Sequence, residues 1–247
     1  MSNPKKRSAE DGPSSQKAKK KKKANASAHD DLYNTELGVN TLFAKMDNQL
    51  LADYLAQKLT RFGSDLSPVE ISDLTLPAGC IKDTSSFEKD RVADNLPVFM
   101  EQFTDKPDNL SRPQRKKGLP HTLIVAGAGL RAADLTRAVK KFQGKDNLVA
   151  KLFAKHIKIE EQVNFLKNKK TGIGVGTPAR LADLIDNGAL SLENLQRIIV
   201  DASHIDQKKR GVIDMKDTMM PLARFLTKDQ IKSRYGAEEK PVDLLFF

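Results

Sequence analysis

Cysteine is nearly missing from this sequence. Cys80 stands alone, so no internal disulfide can form, and the four histidines (His29, His121, His156, His204) share no ligand spacing with it or with one another. Disulfide-stapled scaffolds and zinc fingers are excluded. Long hydrophobic runs are missing too: nothing approaches the roughly 20 apolar residues of a membrane-spanning helix, and the opening MSNPKKRSAEDG has no apolar stretch to serve as a signal peptide. The expected protein is neither secreted nor membrane-associated. The pattern GxxxxGK[ST] is also absent, so no loop offers the lysine and hydroxyl that grip nucleotide phosphates and magnesium. ATP hydrolysis has no visible apparatus.

What is present is a basic excess, unevenly placed. The formal net charge is +10, and residues 1–29 hold nine Lys/Arg and two acids, a net of +7 that leaves +3 for the rest. That segment lacks large apolar residues and cannot offset the backbone ordering cost of about 1–2 kcal/mol per residue, which predicts a disordered tail. Lys5, Lys6 and Arg7, then Lys17 and Lys19, Lys20, Lys21, Lys22 and Lys23, have the look of a bipartite nuclear import signal read by an import receptor; a solvated arm with nonspecific phosphate affinity is the plainer alternative.

From Asp30 the composition becomes globular. Apolar residues three or four apart over 41–62 predict an amphipathic helix stopped at Gly63, Ser67-Pro68 opens a short second one, and a third is expected from about Ser85 to Phe103. Residues 104–118 read as a connector. After residue 119, short Val/Ile/Leu runs (122–126, 148–153, 172–176, 197–200, 242–247) alternate with helix-length segments (130–142, 159–168, 178–186, about 215–226). Such alternation predicts an α/β domain with a mostly parallel, doubly covered sheet. The expected division is a tail over 1–29, a helical extension and linker over 30–118, and the α/β domain over 119–247.

Three segments invite a chemical reading. Gly127-Ala128-Gly129-Leu130-Arg131-Ala132 is a GxGxxA between a strand and a helix, compatible with a dinucleotide turn or with a merely tight one; the acid wanted on the next strand is replaced by Phe153-Ala154-Lys155-His156. Thr177-Pro178 begins a helix after Gly174-Val175-Gly176, and with Arg180 its amides could hold a phosphate or simply cap the helix. Asp201, at the carboxyl end of a buried strand, could hold a metal, although a capping role is commoner.

Taken in order, residues 148–206 resemble the first RecA-like domain of the DEAD-box RNA helicases. Thr177-Pro178-Ala179-Arg180 matches the TPGR motif with Ala for Gly, Asp201-Ala202-Ser203-His204 stands where DEAD should, and Ala154-Lys155 replaces a glycine pair while Gln162 matches the helix behind it. VAGAGLRAADL occupies the place of the APTREL motif, and PVDLLFF aligns with the strand before the SAT motif, itself missing. The departures fall on catalytic positions: the phosphate loop is gone and the water-activating Glu is Ala202. A closer match is a small degenerate group, the Cms-one type, associated with early small-subunit pre-ribosomes. The resemblance implies a single RecA-like domain, no enzymatic activity, no cofactor, and a nuclear, nucleolar ribosome-biogenesis factor, monomeric within a large complex, that contacts pre-ribosomal RNA and processome proteins. It points to Gly129, Arg131, Lys155, Thr177, Pro178 and Arg180 as the RNA-facing residues. Two rivals stand beside it: a purely protein-docking scaffold using the helices of 41–103, and a dinucleotide- or S-adenosylmethionine-binding enzyme using the GAGLRA turn.

Overall fold

The computed structural model describes residues 32–247; the Lys-rich tail and its import signal lie outside the described residues. Five parallel strands form the central sheet: β3 (Thr122–Val125), β4 (Leu148–Leu152), β5 (Thr171–Gly176), β6 (Arg197–Val200) and β7 (Asp243–Phe246), in the spatial order β4-β5-β3-β6-β7. A two-stranded antiparallel ribbon, β1 (Tyr33–Asn34) with β2 (Val39–Asn40), precedes it.

The apolar runs are continuous because both faces of the sheet are covered. Successive side chains point to opposite faces. Leu123 and Val125 of β3, Ile198 and Val200 of β6, and Leu244 and Phe246 of β7 enter one core; Ile124, Ile199 and Leu245 enter the other. The first core is closed by α1 (Asn48–Phe62), α5 (Ile159–Asn168), α6 (Pro178–Asp186) and α7 (Lys216–Leu226); the second by α3 (Leu96–Gln102) and α4 (Gly129–Ala138). The remaining helices are α2 (Pro68–Leu74) and α8 (Asp229–Lys232). Leu51, Leu55 and Leu59 of α1 are buried in the same cluster as Val125 and Ile198, so the N-terminal helices complete the core of the sheet.

Local chemistry sets the element ends. The stretch 41–62 divides into a 3-10 turn (Thr41–Ala44) and α1, because Asp47 caps the helix, accepting from the Leu50 amide at 2.8 Å. Ser67 and Glu70 form a reciprocal capping box on α2. The helix expected over 85–103 is corrected: only Ala93–Asn95 (3-10) and Leu96–Gln102 are helical. Pro97 is the reason, since a proline favours the first turn of a helix and breaks an interior. The connector, too, is anchored: its 3-10 turn Pro107–Leu110 buries Leu110 completely.

Candidate nucleic-acid interface

The carboxyl ends of β4, β5 and β3 are neighbours, and the segments that leave them carry the sequence-derived candidates. Helices α4 and α6 start there, and neither receives a side-chain cap: Ala128 and Thr177 occupy the N-cap positions without a side-chain hydrogen bond to the first turn. The cap expected of the Thr177 hydroxyl is not made. The amides of Gly129, Leu130, Ala179 and Arg180 belong to first turns, which have no intrahelical partners, and the helix dipoles add positive potential there. Pro178 is buried and donates nothing.

Lys155 is exposed and crosses this face. A Cβ on Gly129 would lie 2.9 Å from the Lys155 Cβ, and one on Gly127 would meet Val212 at 3.1–3.3 Å. Protein neighbours account for both glycines of the GAGLRA turn. Arg180 donates through one terminal nitrogen to Gln162 Oε1 (2.7 Å) and the Ile157 carbonyl (3.1 Å), while Gln162 donates to the carbonyls of Lys151 and Phe153 at 2.8 and 3.0 Å. The guanidinium is thereby fixed across the start of α5, not paired with Asp183 or Asp186 of its own helix. Its other nitrogens have no hydrogen bond among the described residues.

Arg131 behaves differently from the sequence expectation. Its Nε and one terminal nitrogen donate to the two carboxylate oxygens of Asp201 at 2.9 and 2.8 Å, with side-chain exposures of 11% and 2%. Burial pulls the Arg131 pKa down, but the hydrogen bonds and charge of Asp201 outweigh it and hold it above the usual value. Two of the three guanidinium nitrogens are thereby committed to Asp201, and Asp201 is turned from a possible metal ligand into a counterion. Among the described residues no cluster of three His, Cys, Asp or Glu side chains could hold a metal.

The segment after Asp201 is also covered. Asn40 donates its amide to the Ser203 carbonyl (2.7 Å) and Ile205 donates to the Gly38 carbonyl (2.9 Å), so β2 runs as a strap beside residues 203–205. Burial and the nearby Arg131 charge lower the His204 pKa.

Sequence reasoning missed one feature. Beyond β7, Ile81 makes a single parallel bridge to Leu244, and the chain then turns so that Thr84 Oγ1 and Arg91 both donate to the Phe246 carbonyl, at 3.2 and 2.5 Å. Arg91 also donates to the Thr84 carbonyl at 2.9 Å, lies against the Phe99 ring and is 3% exposed; burial pushes its pKa down to about 10. This plug closes the carboxyl end of β7 with protein groups. The signal was Pro97, which frees 85–92 to be loop.

A family model described as "CMS1: U3-containing 90S pre-ribosomal complex subunit" matches residues 1–247. The chain belongs to the CMS1 family. Protein CMS1 of Chaetomium thermophilum is 57% identical over 245 residues, covering 99% of this chain and 97% of that relative. Protein cms1 of Schizosaccharomyces pombe is 37% identical over 184 residues, which is 73% of this chain and 64% of that one. Among solved structures, a DEAD box protein from Methanococcus jannaschii overlays with a TM-score of 0.39 at 20% identity, over 62% of this chain and 36% of that one. The RNA helicase Prp28 from Chaetomium thermophilum bound to ADP gives 0.39 at 17%, over 78% and 42%.

Proposed function

We propose that this CMS1-family protein is a ribosome-biogenesis factor of the small-subunit pre-ribosome that contacts pre-ribosomal RNA without catalysing a reaction, alongside processome proteins in the nucleolus. The family description supports the setting. The observation that carries RNA contact is the pair of uncapped helix N-termini on adjacent strands, flanked by the exposed Lys155 and the partly free Arg180 guanidinium. Amides at helix starts and fixed guanidinium donors suit phosphate oxygens, so this face would position an RNA backbone without reading its sequence. The Asp201–Arg131 pair and the Arg91 plug favour a nonenzymatic reading, since each fills with protein a place where nucleotide chemistry would need room.

The test is the double variant Lys155→Ala/Arg180→Ala. Each phosphate contact on a single strand steepens the salt dependence of affinity by roughly 0.7. Fluorescence anisotropy at several salt concentrations should show weaker binding to unrelated sequences and a slope flatter by about one to one and a half units. An unchanged slope and affinity would leave protein docking as the better reading. Nuclear entry through the Lys5–Lys23 basic residues belongs to the same proposal; deleting residues 1–24 should shift the protein to the cytoplasm, and full nucleolar retention would count against the tail as an import signal.

A further inference from the structure

The opposite end of the sheet carries a second concentration of positive charge. The connector crosses the amino ends of the strands and is pinned there at two points: the Gln114 amide donates to the Asp146 carbonyl (2.8 Å), and the Gly118 carbonyl accepts from Ser191 (3.0 Å). Gly118 sits at φ +67° with the Ala189 and Leu166 carbonyls 3.0–3.1 Å from where a Cβ would be, so a side chain is barred on both counts. Held this way, the loop walls an open groove of about 430 Å³ with Arg112, Arg115 and Lys116, and Lys240 faces it from the turn before β7. Its floor is fixed by the buried His121, whose carbonyl accepts from the Gln196 amide at 2.9 Å.

The charge balance of this groove is one-sided. Glu193, paired with Lys116 at 3.4 Å, is the one acid among its lining residues; Arg112, Arg115 and Lys240 have no ion-pair partner among the described residues and are all exposed. Small-molecule sites are mostly apolar, whereas this lining is cationic with side-chain amides such as Gln114 and Gln196, the residue types that hold phosphates and sugars. We propose that this groove is a second RNA-backbone site, at the amino ends of the strands, separate from the face around Lys155. Strands of four to six residues put the two sites about 13–20 Å apart on opposite ends of one rigid sheet. The protein would then join two stretches of RNA. This inference rests on the reading that the protein contacts RNA, but not on which face does so.

The experiment uses the full chain and two unrelated single-stranded RNA oligonucleotides containing 4-thiouridine. Arg112→Ala/Arg115→Ala/Lys240→Ala should flatten the salt slope by about two units, from three contacts of roughly 0.7 each. Photocrosslinking of the unaltered chain should place adducts on peptides from residues 104–121. The three side chains are exposed, so the thermal midpoint should hold; the single variant Lys240→Glu, which should weaken binding in the same direction, serves if the triple variant unfolds. An unchanged slope together with no adduct in 104–121 overturns the proposal. Should Lys155→Ala/Arg180→Ala flatten the slope while the triple variant does not, the Lys155 face stands and the second site fails; the reverse result supports the groove and removes the Lys155 face.

Discussion

At the scale of single residues, the Asp201–Arg131 pair is the clearest departure from a solvated ligand site. Removing one partner of a buried pair leaves an uncompensated charge and typically costs about 3–5 kcal/mol, while replacing both with apolar groups is close to neutral or stabilising. Asp201→Asn should therefore destabilise by about 3 kcal/mol, and Arg131→Met/Asp201→Leu should recover most of it, as read in denaturant titrations; additive losses would show that the pair is not coupled. His121 makes a pH-dependent contribution. Burial, then the Arg197 charge, lowers its pKa from 6.5 to about 4. The folded state therefore favours the neutral ring, so its stability contribution is complete above pH 6.5 and declines as pH falls from 6.5 towards 4. The full shift corresponds to about 3 kcal/mol. His121→Gln should flatten the stability profile across that window, and an unaltered profile would assign the acid sensitivity elsewhere.

At the scale of elements, the loop 84–92 does the work that a helix was expected to do. Arg91→Met keeps the apolar stem against Phe99 but removes the donors to the Phe246 and Thr84 carbonyls. Each carbonyl keeps a second donor, Thr84 Oγ1 on Phe246 and the Phe87 amide on Thr84, so the loss is that of hydrogen bonds from a charged donor, about 1.5–3 kcal/mol, and the midpoint of thermal unfolding should fall; a midpoint equal to that of the unaltered protein would mean the plug is not structural. The sheet and its crossover helices were legible because the strands are apolar runs between two packed faces and helix-length amphipathic segments separate them, one of which opens at Pro178. Hydrophobic periodicity alone misjudged 85–103, where Pro97 outweighs it. Nor does local pattern reveal that Arg131 reaches Asp201, seventy residues away, because that contact exists only once β3 and β6 are side by side. Gly127 and Gly129 read as a phosphate turn from spacing; their packing against Val212 and Lys155 is a tertiary fact.

At the scale of the whole molecule, one sheet presents different chemistry at its two ends. The carboxyl ends of β3 and β6 are self-satisfied at Asp201, the edge beyond β7 is plugged by Arg91, and the exposed donors lie around Lys155, Arg180 and the amino-end groove. On the proposed reading, RNA is held by charge and amide geometry, independently of any nucleotide. The most direct measurement is RNA affinity by fluorescence anisotropy on the full chain, with and without magnesium-ATP, alongside phosphate release. The expected result is salt-dependent RNA binding with the same dissociation constant in both conditions and no turnover. RNA affinity that rises with magnesium-ATP, or RNA-stimulated phosphate release, would contradict it.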